Sequence, residues 1–101
     1  MEKFDQSKAP YVEALGRYSN EDIVPFDVPG HHMGNISNPA VSLLGRHVYR
    51  LDVNAPIGLD NLAHPSGVLK EAEDYCADAM GADHAFFLIN GTSSGIIAMI
   101  L

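Results

Sequence analysis

The sequence has no tryptophan and only one cysteine, Cys76, and its 6 lysines and arginines are outnumbered by 13 aspartates and glutamates. A lone cysteine can neither close an internal disulfide nor supply a Cys-x-x-Cys metal motif. The chain therefore reads as a protein of a reducing compartment, with the cytoplasm as its expected address. The formal charge of -7 speaks against nucleic acid as a partner, because proteins that bind phosphate backbones concentrate Lys and Arg. Also missing is any run near the roughly 20 apolar residues that a membrane span needs. The opening MEKFDQSKAP lacks the basic-then-apolar order of a secretion signal. Without secretion, Asn35-Ile36-Ser37 and Asn90-Gly91-Thr92 are chance matches to the glycosylation pattern.

What is present is the balance of a soluble globular protein: 47% hydrophobic and 19% charged residues in a chain of 101, about the size of one small domain. Tyr11, Leu15 and Tyr18 recur at helical spacing behind Pro10, which suits a first helical turn, and predict a helix over 9–18. From Pro25 to Pro65, prolines and glycines interrupt every apolar cluster, so this stretch reads as ordered loop. Within it, Asn38 to Leu44 can cap and form a brief helix, while Val48, Leu51 and Val53 suggest a short extended piece.

The strongest periodicity follows. Val68, Leu69, Ala72, Tyr75, Cys76, Ala79 and Met80 fall on one helical face, opposite Lys70, Glu71, Glu73, Asp74 and Asp78. This predicts a helix over 67–80, with Ser66 capping its start and Gly81 closing its end in the left-handed conformation. Ala85 to Ile89 is a continuous apolar run, the pattern of a strand buried on both faces. Ile96, Ile97, Met99, Ile100 and Leu101 then begin another buried helix. With one such strand and no partners for its backbone groups, the isolated chain is expected to be loosely folded or aggregation-prone.

Between that strand and helix lies Asn90-Gly91-Thr92-Ser93-Ser94-Gly95. Asn-Gly between apolar runs is a strong hairpin signal, but Thr92 to Gly95 makes a poor start for a paired strand. A tight turn into a small-residue helix start directs several backbone N–H groups one way, at the positive end of the helix dipole. Helix capping and phosphate binding both account for this local pattern. It is neither a Walker loop nor a G-x-G-x-x-G fingerprint.

Three blocks, in the order and spacing of one family, tip the balance toward phosphate binding: Val28-Pro29-Gly30-His31-His32-Met33-Gly34, Gly58 to Leu69 (GLDNLAHPSGVL), and Met80 to Gly95 (MGADHAFFLINGTSSG). Together they resemble the beginning of the pyridoxal-phosphate-dependent Orn/Lys/Arg decarboxylases. The resemblance implies an α/β architecture, the aspartate-aminotransferase fold (fold type I). Residues 1–24 would form an N-terminal helical arm, and residues 25–101 the start of the large cofactor-binding domain, incomplete by itself. The cofactor implied is pyridoxal 5'-phosphate, its phosphate gripped by Gly91, Thr92 and Ser93, with Ser94 alongside. The lysine that carries the cofactor as a Schiff base would lie beyond this segment, as would the other catalytic groups, so no catalytic residue is assigned.

Lys3, Lys8 and Lys70 are read as solvated. The chain is thus expected to be an inactive fragment of an enzyme that turns arginine, lysine or ornithine into the amine and carbon dioxide. The resemblance also implies a basic amino acid as small-molecule partner and a homo-oligomeric whole. The alternatives are a free-standing α/β protein that holds a phosphorylated metabolite or a partner chain at Gly91–Gly95, or another enzyme of the same fold type, such as an aminotransferase.

The remaining polar residues carry plainer readings. His31, His32, His47, His64 and His84 match no compact metal spacing. Although the Pro-Gly-His block resembles a family feature near the cofactor pocket or subunit interface, His31 is read first as a hydrogen-bonded loop histidine. His64 is expected to set up the following helix through local contacts. Cys76 is expected to pack as a small hydrophobe, Tyr75 to join the core, and Glu71, Glu73, Asp74 and Asp78 to form a wet helix face. Asp52 and Asp60 are read as turn and cap residues.

Overall fold

Residues 3–101 of the chain are described, from a computed structural model. Its described residues form five α-helices and one 3-10 turn: α1 (Pro10–Ser19), the 3-10 turn His32–Gly34, α2 (Pro39–Leu44), α3 (Arg46–Arg50), α4 (Val68–Met80) and α5 (Gly91–Ile100). α1 packs on α4, and α3 packs on the 3-10 turn. Ala14 and Tyr18 of α1 meet Met33 and Leu59 in a small core, flanked by Tyr11, Leu15, Ile23, Val53 and Val68.

The helix expected over 9–18 forms as α1, with Pro10 in its first turn. Asn38 caps α2, its Oδ1 accepting from the Ala40 N–H at 2.8 Å. Gly81 closes α4 at φ +64°: its N–H donates to the Asp78 carbonyl at 3.1 Å, and the Ala82 N–H reaches Ala77 at 2.9 Å. That pair of bonds satisfies carbonyls that the helix end leaves open, and it needs a residue that tolerates positive φ.

Of the extended piece expected around Val48, Leu51 and Val53, Val48 lies instead in α3, Leu51 is its C-cap, and Val53 follows in irregular chain. Val48 and Leu51 stand three apart, which suits a helix as well as a loop. What favours the helix is tertiary. The Arg50 guanidinium donates to the Ser19 carbonyl at the end of α1 and to the Glu21 carbonyl just beyond it, at 2.5 and 3.2 Å. Gly34, at φ +79°, lets α3 come close: a Cβ there would stand 3.0 Å from Arg46 Cγ and 3.1 Å from Tyr49 Cβ. Gly34→Ala is expected to cost about 1–2 kcal/mol in backbone strain and to loosen α3, read as roughly tenfold faster amide exchange across residues 46–50.

The sheet of the expected α/β order is not formed among the described residues. Residues 84–88 are neither helix nor strand, because a strand requires a ladder partner and none of the described residues provides one. The expected burial is likewise absent: Phe86 is 77% exposed, and Ile96, Ile97, Met99 and Ile100 of α5 are all exposed. Among the described residues no helix is long and apolar enough to cross a membrane.

Candidate functional site

The site is built outward from the start of α4. The expected cap, Ser66, makes no side-chain bond there, and Gly67 occupies the cap position. Asp60 does the work from outside the helix. Its carboxylate accepts from the N–H groups of Asn61 (2.8 Å), Ser66 (3.1 Å), Gly67 (2.7 Å), Leu69 (3.0 Å) and Lys70 (3.4 Å). Asp60 sits at φ +66°, a conformation aspartate tolerates better than most residues. Partial desolvation opposes its ionisation, but the N–H groups of Asn61, Gly67, Ser66 and Leu69 outweigh that and hold its carboxyl well below the usual carboxylate range. Helix entry thus rests on Asp60, whereas His64 has an exposed side chain and contributes only its N–H, donated to Asn61 at 3.0 Å.

α4 buries Leu69, Glu73 and Ala77, while Ala79 and Met80 of the predicted apolar face are exposed and Tyr75 and Cys76 are half-buried. Glu73 therefore departs from the wet face assigned to it. It is 4% exposed, and its Oε1 accepts from the Phe87 N–H at 2.9 Å. Lys70 pairs with Asp74 on the outside of the helix, consistent with a solvated lysine.

The chain then turns at Asn90, in the left-handed conformation at φ 61° and ψ 24°, and α5 starts at Gly91 rather than near Ile96. The Asn90 side chain makes no capping bond. Among the described residues no carbonyl accepts the N–H groups of Gly91, Thr92 and Ser93, and the hydroxyls of Thr92 and Ser93 have no partner. All three residues are exposed. Ser94 differs: its Oγ faces the Ile89 carbonyl at 2.6 Å and the Gly91 carbonyl at 2.8 Å, so its hydroxyl closes the turn. Gly95 abuts Leu88 so closely that an added Cβ would overlap the Leu88 Cδ1 methyl. Beside the turn lies an open apolar hollow of about 430 Å³, bordered by Phe86, Leu88, Thr92 and Ile96.

The family model described as Orn/Lys/Arg decarboxylase, major domain, matches residues 9–101. The chain belongs to this family. An arginine decarboxylase of Bacillus anthracis is 37% identical over 102 residues, which is 100% of this chain and 21% of that protein. An ornithine decarboxylase of Haemophilus influenzae is 34% identical over 84% of this chain and 13% of its own length. A lysine decarboxylase of Pseudomonas aeruginosa is 33% identical, covering 84% of this chain and 12% of that protein. The chain thus spans about a fifth or less of the length of these decarboxylases. No solved structure matches it.

Away from the turn, His31 is the hydrogen-bonded loop histidine expected. Its Nε2 lies 2.9 Å from Asp52 Oδ2, and its ring meets Tyr49 edge-on at 5.0 Å. Asp52 thereby serves as a histidine partner, a role its sequence position did not suggest. The His31 Nδ1 is buried without a partner among the described residues. His32 and Met33 both have positive φ. Among the described residues no three His, Cys, Asp or Glu side chains gather as a metal site.

Proposed function

We propose that this decarboxylase-family chain supplies the phosphate seat of a pyridoxal 5'-phosphate enzyme that converts a basic amino acid, arginine, lysine or ornithine, to its amine and carbon dioxide. The observation that carries the reading is the set of unpaired N–H groups at Gly91, Thr92 and Ser93, flanked by the free hydroxyls of Thr92 and Ser93, at the start of a ten-residue helix. Converging donors at the positive end of a helix dipole suit a phosphate dianion, so the residues present fit the group. When bound, the cofactor supplies an electron sink for the pair left behind as carbon dioxide departs. The protein's part here is to fix position. A misplacement of about 1 Å costs on the order of a hundredfold in rate. Gly91, Thr92 and Ser93 would hold the anion, Ser94 would keep the turn closed, and the apolar hollow beside Thr92 would offer a water-poor wall to whatever the phosphate carries.

Family membership favours the decarboxylase over an aminotransferase or a free-standing metabolite binder. The lysines of this chain, of which Lys70 is paired with Asp74, are given no catalytic part, and the segment alone is expected to be inactive. The test is carbon dioxide release from arginine, lysine and ornithine by the intact protein with pyridoxal phosphate. Release from at least one, lost when the cofactor is omitted, is the expected result. Release from none of the three, with the cofactor bound, would overturn the assignment.

A further inference from the structure

We infer that Glu73 is a positioning residue for the phosphate turn, an inference that rests on the reading of Gly91–Ser93 as that seat. A glutamate 4% exposed in the middle of an amphipathic helix is unusual, because burying a carboxylate is costly unless it gains a partner. The partner here is a backbone donor outside the helix. Glu73 Oε1 accepts from the Phe87 N–H, and among the described residues this is the one hydrogen bond that ties the backbone of residues 84–88 to another element. The next residue, Leu88, packs its methyls against Gly95, in the second turn of α5. The following one, Ile89, presents the carbonyl that receives the Ser94 hydroxyl.

A continuous path therefore runs from the Asp60-anchored α4 through Glu73, Phe87 and Leu88 to the first turns of α5. Glu73 sets how far residues 84–88 slide along α4. Through Leu88 against Gly95, that offset sets where the N–H groups of Gly91, Thr92 and Ser93 point. Glu73 itself touches neither the anion nor the reacting atoms. It also differs from a cap, because the donor it satisfies lies 14 residues away in sequence.

The test uses two variants of the intact protein with backbone amides labelled for NMR. Glu73→Met keeps the bulk of the side chain and removes the acceptor. Glu73→Gln keeps an acceptor oxygen and removes the charge. Glu73→Met is expected to speed Phe87 amide exchange about tenfold or more, to shift the Gly91, Thr92 and Ser93 amide signals, and to weaken binding of inorganic phosphate and of pyridoxal phosphate several-fold. Glu73→Gln is expected to hold all three readouts near those of the parent. Two results would overturn the inference: turn amides unmoved in Glu73→Met, or Glu73→Gln binding phosphate as weakly as Glu73→Met while Phe87 stays protected. If the Met variant fails to fold, Glu73→Gln is compared with the parent, and several-fold weaker phosphate binding with Phe87 still protected overturns the inference. A parent whose turn amides ignore both anions would refute the phosphate seat, yet the Phe87 exchange and turn-signal readouts would still decide the role of Glu73.

Discussion

Asp60→Ala is expected to unravel the first turn of α4. One carboxylate serves four backbone donors there besides the Asn61 N–H, and among the described residues no other side chain caps the helix. Hydrogen bonds to a charged group are the strong class, and a buried donor left without a partner is costly. Amide exchange at Ser66, Gly67, Leu69 and Lys70 is expected to accelerate on the order of a hundredfold. Loss of this turn should propagate to Leu69, which is buried, and to the neighbouring Leu59, so the whole chain should melt at a lower temperature. Asp60→Asn isolates the charge, because asparagine also accepts positive φ and keeps one acceptor oxygen; its effect should be intermediate.

The same residue fixes a pH dependence. The folded-state pKa of Asp60 lies below the ordinary carboxylate value of 3.8. Its contribution to stability is therefore fully present above that value and is lost as the pH falls through the lower, folded-state value. Protection at Gly67 and Leu69 should consequently fade in strong acid in the parent. In Asp60→Asn it should be weaker throughout and flat over the same range. A parent with no acid sensitivity at these amides would contradict the capping role.

The second large effect concerns the anion. Thr92→Val combined with Ser93→Ala removes two free hydroxyls while leaving the backbone donors of the turn in place. Each charge-assisted bond to a phosphate is worth a factor of about ten or more. The double variant is thus expected to bind pyridoxal phosphate roughly a hundredfold more weakly, measured by absorbance titration of the intact protein. Unchanged affinity would mean that these hydroxyls never meet the phosphate.

Local rules made much of the helical framework legible. Pro10, the 3.6-residue periodicity of α4, Asn38 as a cap and Gly81 as a helix stop all act within a few residues of their effect. The misses involve distance. Asp60 lies eight residues before α4, and only its positive φ and the intervening turn fold its carboxylate back onto the helix start. Glu73 has the sequence context of a solvated glutamate, since its partner, the Phe87 N–H, is backbone and leaves no mark on composition. For α3, spacing alone did not distinguish helix from extended chain, whereas contacts with Gly34 and the end of α1 do. The strand over 85–89 has the right residues, yet strand formation needs a second chain segment alongside. The turn into a small-residue helix start was readable from Asn90 to Gly95, but the inward engagement of the Ser94 hydroxyl required the positions of the Ile89 and Gly91 carbonyls.

The most direct measurement is an experimental structure of the intact protein with pyridoxal phosphate bound. Phosphoryl oxygens about 3 Å from the backbone nitrogens of Gly91, Thr92 and Ser93 are the predicted result. A phosphoryl group lodged elsewhere, with those three N–H groups left to water, would contradict the account at its root.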